Sequence, residues 1–208
     1  MFNSIFKVFF RLVKRNKVFY AISFILLMIG ISSWNILCGY IIHELEYDEF
    51  HLNKDRIFRI QNNRYKDGEV YIKDAATYPA VGSFLKHQLP EVKSYVRLMS
   101  FPNTVSFKGK EMKVKQLYYT DTSFFSIFSF PLINGDKKTC LQGTGKVVIS
   151  KEIAKRLFGD EDPIGKEINA PMPVTVTGVF ENDMPSHMEI DILLPMEIYM
   201  GMQGDYMQ

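Results

Sequence analysis

Apolar and polar positions divide the chain into one long uncharged segment near the amino terminus and a longer region of short alternating segments. Residues 18–42 contain no Asp, Glu, Lys, Arg or His. A helix rises about 1.5 Å per residue, so this segment would reach roughly 37 Å, enough to cross a hydrocarbon core of about 30 Å. A cleavable signal peptide is the alternative, but the apolar run is longer than usual and no A-x-A-like site ends it. The pattern predicts an uncleaved transmembrane helix.

Residues 1–17 precede this helix and carry five cations and no acid. Their apolar residues recur at helical spacing, which predicts a basic amphipathic segment along the inner membrane surface. A basic orientation signal without a helix of its own is the alternative. Arg11, Lys14 and Arg15 are expected to hold the orientation, because Lys and Arg are enriched on cytoplasmic flanks. The amino terminus is therefore predicted in the cytoplasm and residues 43–208 on the other side.

Residues 43–56 are interpreted as a stalk. The stretch 40–53 contains no proline or glycine, and Ile41, Leu45 and Phe50 recur loosely at helical spacing. The membrane helix is therefore predicted to continue outward to about residue 53.

Residues 57–208 are predicted to form one α+β domain, because strands and short helices mix without strict alternation. A Lys-Asp-Gly sequence at 66–68 predicts a hairpin between residues 56–65 and 69–75. Helices are predicted at 79–89 and 150–158, the second capped by Ser150. The remaining predicted strands are 92–101, 103–109, 111–120, 146–150, 174–180 and 191–195.

A further short helix is predicted in "DTSFFSIF", residues 121–128, with Asp121 or Thr122 as its cap. The large apolar residues of this segment are closely spaced and are expected to be buried. Phe124, Phe125 and Phe128 are therefore assigned the role of anchoring the helix in the core.

The stretch "RLFGDEDPIGKEI", residues 156–168, raises the question of nucleotide binding. It fails as a P-loop because five residues rather than four separate its glycines, and Glu167 stands where Ser or Thr must bind magnesium. The sequence instead predicts a turn from helix to strand. Gly159 is expected to end the helix, and Pro163 and Gly165 to fix the turn.

No other motif predicts a catalytic, cofactor or metal site. "HELEYDEFH" has Tyr47 where a zinc-protease helix needs its second histidine, and no G-x-S-x-G sequence occurs. A scattered metal site using His51 and nearby acids is the minor alternative to a solvated stalk face. Cys38 and Cys140 are too far apart in the predicted organisation to form a disulfide.

Charge argues against nucleic acid as a partner. The whole chain carries +2 and its first 17 residues carry +5, so residues 43–208 carry a net −3. A nucleic-acid surface needs a basic patch outside the membrane segment, and this region is acidic.

Five phrases, taken together, resemble a known family: "YDEFHLNKDRIFRI", "LPEVKSYVRL", "TDTSFFSIFSFPLINGD", "VVISKEIAKRLFGDEDPIGKEI" and "VTVTGVFENDMPSHMEIDILLP". They are similar in sequence and order to the MacB-like periplasmic core domain of FtsX-type ABC transporter permeases. They cover most of residues 47–195, and the amino-terminal helix resembles the first span of the same permeases.

The resemblance implies an α+β extracytoplasmic domain that follows the first transmembrane helix of an inner-membrane permease. It implies a non-catalytic chain, with ATP hydrolysis on a separate cytoplasmic ATPase that moves the domain for export or mechanotransmission. The implied partners are that ATPase, a second permease copy or half, membrane lipid and, as a further option, a periplasmic adaptor.

The chain departs from the family in length, because the permeases have at least three further spans. It is therefore expected to be a fragment, a truncated reading frame or an anchored domain, and not to transport by itself. The alternative class is a single-pass, membrane-anchored ligand-binding or sensor protein. A sensor needs an output module, and only 17 residues are predicted on the cytoplasmic side.

Overall fold

Helix α1 spans Lys17–Leu45, and none of its residues is buried against the protein. The computed structural model of this protein describes residues 11–205, except for the side chains of residues 102, 103 and 203–205. Within that part of the chain, α1 is the one helix that is long and apolar enough to cross a membrane. Residues 11–15 are also helical, and a bend at Asn16 separates them from α1. Most of residues 1–17, predicted to be amphipathic, thus lies outside the described residues.

The prediction that the membrane helix continues to residue 53 is wrong. Helix α1 ends at Leu45, and residues 46–50 form turns. Asp48 adopts a left-handed conformation with φ of 59°, which a continuing helix does not allow. The physical cause is tertiary, because the backbone N–H of Asp48 donates to the carbonyl oxygen of Pro185 at 2.9 Å.

The chain divides into two compact units, Met1–Tyr47 and Asp48–Gln208. The second unit begins with a 3₁₀ turn at Lys54–Arg56, followed by the predicted hairpin of β1 (Asn62–Lys66) and β2 (Glu69–Asp74). Asp67 and Gly68 both have positive φ, as a two-residue hairpin turn requires. Helix α2 (Val81–Gln88) follows. The hairpin and α2 are confirmed, although β1 begins six residues later than predicted.

Seven further strands form the main sheet: β3 (Leu98–Phe107), β4 (Lys110–Thr120), β5 (Leu132–Asn134), β6 (Lys146–Ser150), β7 (Glu167–Asn169), β8 (Pro173–Phe180) and β9 (Ile192–Pro195). Their order is β5-β8-β6-β9-β4-β3-β7, and β7 also pairs with β8. Six strands therefore form a closed circuit of pairings, and β5 attaches to β8 outside it. The β4–β9 and β6–β8 pairs are parallel, and the other pairs are antiparallel.

Three helices accompany this sheet: α3 (Phe124–Ile127), α4 (Lys151–Phe158) and α5 (Met196–Asp205). Ser150 caps α4 as predicted, since its hydroxyl oxygen accepts from the N–H of Ile153 at 3.2 Å. The predicted cap of α3 is wrong. Its N-cap residue is Ser123, which makes no capping hydrogen bond with its side chain.

Apolar side chains pack on both faces of the sheet, as the alternation along β6 illustrates. Val147 and Ile149 belong to one buried cluster, which includes the apolar face of α4. Val148 belongs to a second cluster around Phe124 and Phe130. The result is a mixed α/β unit after one apolar helix, which is the predicted fold class.

Candidate functional site

The first residues of the second unit form hydrogen bonds with a segment near the end of the chain. Asp48 accepts from the hydroxyl of Ser186 at 2.5 Å through Oδ1, and its Oδ2 lies 2.9 Å from Nδ1 of His187. Because an ionised carboxylate only accepts, Nδ1 of His187 carries the shared proton. With the backbone bond to Pro185, three consecutive residues of the β8–β9 connection thus bind Asp48.

His51 extends these contacts into the interior. Its side chain is almost fully enclosed, with the residue 5% exposed. Nδ1 accepts from the backbone N–H of Ser129 at 3.1 Å, so the neutral ring carries its proton on Nε2. Nε2 lies 3.7 Å from Oδ1 of Asp48 and has no hydrogen-bond partner within the described part of the chain. We call Asp48, His51, Ser129, Ser186 and His187 the Asp48 cluster.

Aromatic rings enclose the imidazole of His51. The ring centroids of Phe50, Phe128 and Phe130 lie 4.0, 5.3 and 5.4 Å from it. A second hydrogen bond joins this segment to Ser129, because the N–H of Leu52 donates to the hydroxyl oxygen of Ser129 at 3.0 Å. The chain from Asp48 to Leu52 is therefore fixed to the segment that follows α3.

The environment shifts the pKa values of both titratable groups at the start of the cluster. Burial lowers the pKa of His51, and the nearby negative charge of Asp48 offsets this only in part. For Asp48, burial acts to raise the pKa. The hydrogen bonds from Ser186 and His187, together with the positive charge that His51 and His187 can carry, outweigh burial, so the pKa of Asp48 lies below its ordinary value.

Both shifts predict that acid destabilises the folded unit. A group with a depressed folded pKa binds fewer protons in the folded state than in the unfolded state. The stabilising contribution of His51 is then complete above its ordinary pKa of 6.5 and is lost as the pH falls through the lower folded value. The contribution of Asp48 is lost only below its ordinary pKa of 3.8.

We expect the urea midpoint of the full chain in detergent to fall between pH 8 and 5.5. This fall should shrink in His51→Asn but persist in His87→Asn, and equal falls in both variants would contradict it.

A second ionic contact involves the residues that precede α3, whereas Ser129 follows this helix. Arg97 binds Asp121 through two nitrogens, with Nη2 to Oδ1 at 2.6 Å and Nε to Oδ2 at 3.0 Å, and both side chains are partly buried. The hydroxyl of Ser123 donates to the carbonyl oxygen of Tyr95 at 2.5 Å. The side chain of Asp121 therefore binds Arg97, the residue before β3, rather than capping α3, which explains why the predicted cap fails.

Phe124, Phe125 and Phe128, predicted to anchor α3, lie together in the second buried cluster. Phe124 and Phe125 are buried, and Phe128 is partly buried against them. The Phe128 centroid lies 5.2 Å from that of Phe124, and Phe128 also contacts His51. This predicted group therefore borders the Asp48 cluster.

Gly159, Pro163 and Gly165 lie in a separate turn between α4 and β7. Gly159 ends α4 with φ of 64°. The N–H of Lys166 donates to the carbonyl oxygen of Pro163 at 3.2 Å, with Gly165 at positive φ between them.

The helical segment before α1 carries three exposed cations, Arg11, Lys14 and Arg15. Neither group contributes to the Asp48 cluster, and the roles assigned to both stay predictions.

Most of the Asp48 cluster was not identified as a site from the sequence. His51 was considered only as a metal ligand, and the part of the chain described here contains no group of three or more His, Cys, Asp or Glu side chains placed to bind a metal. Asp48 lies more than 130 positions before Ser186 and His187 in the chain. The signal available was their occurrence in "YDEFH" and "MPSHM", two of the phrases that carry the family resemblance.

Comparison with known proteins identifies the family. The sequence model described as the MacB-like periplasmic core domain matches residues 20–207. The chain belongs to that family. The match spans nearly all of this MacB-like chain, including most of α1, and it confirms the resemblance carried by the five phrases. No curated protein matches the chain significantly.

Solved structures have the same fold. A domain described as part of a permease protein from Porphyromonas gingivalis is 24% identical, with a TM-score of 0.51 over 57% of this chain and 52% of that one. The periplasmic region of MacB from Actinobacillus actinomycetemcomitans is 18% identical, with a TM-score of 0.50 over 72% and 63%. The MacB-like chain thus spans between about half and just under two thirds of these solved chains.

Family membership and α1 together define the class of protein. MacB-like periplasmic core domains belong to permeases of ABC transporters, which work with ATPase partners. The apolar helix near the amino terminus and the periplasmic family are the features of a membrane-anchored protein with an extracytoplasmic domain.

Proposed function

We propose that this chain is a permease component of an ABC transporter of the MacB/FtsX type. In this proposal a separate cytoplasmic ATPase moves the extracytoplasmic domain to drive export or mechanotransmission. The chain has no catalytic role of its own. The observation that supports the proposal best is the Asp48 cluster, which begins three positions after the last residue of α1.

Movement of a membrane helix reaches the folded domain that follows it along the connecting backbone. A displacement of α1 passes through residues 46–51, and this segment is bonded to residues 129 and 185–187 rather than hanging freely. Coupling between distant regions needs packed or hydrogen-bonded contacts of this kind. Asp48 and His51 are therefore proposed to transmit movement of the membrane helix to α3 and to the β8–β9 connection.

The proposal implies specific partners and an orientation. The partners are a cytoplasmic ABC ATPase, a second permease copy or half, the lipid around α1 and, as a further option, a periplasmic adaptor. Arg11, Lys14 and Arg15 are proposed to keep the amino terminus in the cytoplasm by the positive-inside rule. The domain that follows α1 then lies on the outer side of the membrane. In this proposal ATP is hydrolysed on the opposite, cytoplasmic side by the separate ATPase.

Cysteine labelling tests the orientation. Burial raises the pKa of the Cys140 thiol to about 11, so the native cysteine of the domain should react poorly. We expect a membrane-impermeant maleimide to label Lys137→Cys in intact spheroplasts, and to label Asn16→Cys, which leaves the orienting cations in place, only after permeabilisation. Both positions are exposed, and the parent chain gives the background. The reverse labelling pattern would refute the orientation.

Substitution of Asp48 tests the coupling. Asp48→Asn preserves the side-chain shape but removes the charge that strengthens two hydrogen bonds, and hydrogen bonds to charged groups contribute about 1.5–3 kcal/mol each. In the chain assembled with its ATPase in liposomes, a fluorophore on Lys137→Cys should report movement on ATP addition. We expect Asp48→Asn to reduce that ATP-dependent signal about tenfold while the ATPase still co-purifies.

Asp67→Asn provides the matched control. Asp67 is exposed in the hairpin turn, and asparagine tolerates its positive φ. This variant should retain the full signal. An unchanged signal in Asp48→Asn, or an equal loss in both variants, would be inconsistent with transmission through Asp48.

A further inference from the structure

His51 makes a hydrogen bond that only one charge state of its ring allows. The backbone N–H of Ser129 donates to Nδ1 at 3.1 Å, and a backbone N–H is a donor at every pH. Nδ1 must therefore carry a lone pair. The neutral ring has this lone pair and the imidazolium does not, because both nitrogens of a protonated histidine donate. Protonation of His51 thus brings two donors together and removes the bond to Ser129.

The other ring nitrogen is placed for the opposite response. Nε2 is a buried donor without a hydrogen-bond partner among the described residues, and it lies 3.7 Å from Oδ1 of Asp48. A hydrogen bond from a charged nitrogen to a carboxylate spans about 2.8 Å, so the ring has to approach Asp48 by less than about 1 Å. Such a bond is roughly twice as strong as one between neutral groups. Protonation therefore strengthens the attraction of His51 to Asp48.

Asp48 supplies the charge that acts on this ring. Residues 122–134, which include α3 and the segment that encloses the ring, contain no titratable side chain. From the β8–β9 connection, His187 binds the other carboxylate oxygen of Asp48. Within the turn that follows α1, Glu49 is exposed and pairs with Lys54. A proton taken up by the buried ring is therefore compensated by the carboxylate of Asp48.

We propose that His51 is an acid-operated switch, which exchanges its hydrogen bond with Ser129 for an ion pair with Asp48. Before the exchange, residue 51 is bonded to the segment after α3. After it, residue 51 is bonded within its own turn, and the hydrogen bond from Leu52 to the hydroxyl of Ser129 still joins the two segments. The inference rests on the contacts of the ring and not on the transport proposal.

The pKa of His51 sets the pH at which the exchange occurs. Burial among the rings of Phe50, Phe128 and Phe130 lowers this pKa below its ordinary value of 6.5, and the charge of Asp48 offsets only part of that effect. The ring is therefore neutral, and bonded to Ser129, at pH values above 6.5. It takes up its proton only in more acidic solution, which is where the switch operates.

Nuclear magnetic resonance of the full chain in detergent tests the exchange, with 15N in the histidine rings and in the backbone. At pH 8 we expect His51 to carry its proton on Nε2 and to have an unprotonated Nδ1. Between pH 8 and 5, Nδ1 should become protonated. The amide proton of Ser129 should shift upfield with the same midpoint, because it loses its acceptor.

Three variants show which histidine is responsible. In His51→Asn the amide oxygen can accept from Ser129 at every pH, so the Ser129 resonance should no longer titrate. The titration should persist in His187→Asn, which removes the histidine bonded to Asp48, and in His87→Asn, which removes an exposed histidine of α2. A proton on Nδ1 at pH 8, protonation of His51 without a shift at Ser129, no protonation down to pH 5, or an unaltered titration in His51→Asn would each overturn the switch.

The switch would also regulate the proposed transmission, and this consequence alone rests on the proposed function. In the liposome assay with the fluorophore on Lys137→Cys, the side that holds the domain is acidified to pH 5. The ATP-dependent signal should fall about fivefold, the factor that one lost hydrogen bond represents, and should stay unchanged when His51→Asn is added. An equal fall in both chains would contradict regulation by His51. A signal that is absent at every pH would instead contradict the proposed function, whereas the resonance measurement needs no ATPase.

Discussion

Replacing Phe124 by alanine is expected to lower the free energy of unfolding by about 3–5 kcal/mol, the usual cost of removing a fully buried phenylalanine. Phe124 has 0% exposure, and its ring lies 5.8 Å from that of Phe130 in a nearly parallel stack. Its neighbours Phe125 and Phe128 pack against the same ring. Because several rigid rings surround the site, the cavity should collapse only in part.

The measurement is the urea midpoint of the full chain in detergent, followed by circular dichroism, with Phe58→Ala as the control. Phe58 is 83% exposed, so its truncation should change the free energy of unfolding by less than about 0.5 kcal/mol. The Phe124 variant should also weaken the packing beside His51, through Phe128. Equal effects of the two substitutions would refute the assignment of Phe124 as the anchor of α3.

Replacing Gly135 by alanine is expected to cost about 2–4 kcal/mol, from backbone strain and a steric clash together. Gly135 follows β5 with φ of 103°, a conformation that L side chains rarely adopt. An added Cβ would lie 2.5 Å from the carbonyl oxygen of Thr177 and 3.0 Å from the Cα of Gly178. Backbone atoms of β8 cannot move away without disturbing the sheet.

Gly145→Ala separates the two causes. Gly145 also has positive φ, 85°, but an added Cβ there meets nothing within 4 Å. It should therefore cost only the conformational strain, about 1 kcal/mol. A loss of stability in Gly135→Ala no greater than in Gly145→Ala, measured by the same denaturation, would rule out the clash with β8.

Elements with local causes could be predicted from the sequence. Helix α4 begins where Ser150 caps it and ends where Gly159 takes positive φ, and both signals lie within a few residues of the boundaries they set. The β1–β2 turn at Asp67 and Gly68 is of the same kind. The apolar helix α1 followed from the absence of charge alone.

Predictions failed where a distant residue changed the local outcome. Two strands were expected on either side of Pro102, but β3 is one strand with a register shift between Phe101 and Asn103. Proline cannot donate to the ladder, yet a bulge accommodates it, so pairing with β4 carries the strand past it. Helix α5 was also missed, because its sequence has two glycines and no capping signal.

Hydrophobicity and backbone preference act between near neighbours. The amino-acid sequence was therefore enough to predict the apolar helix and the ends of elements such as α4, and it contains the phrases that indicate the family. Long-range packing was needed to establish that α1 ends at Leu45, that Asp121 binds Arg97, and that Asp48 meets Ser186 and His187. These hydrogen bonds join residues between 24 and 139 positions apart. They form only when the fold brings the residues together, and no local pattern specifies which partners will meet.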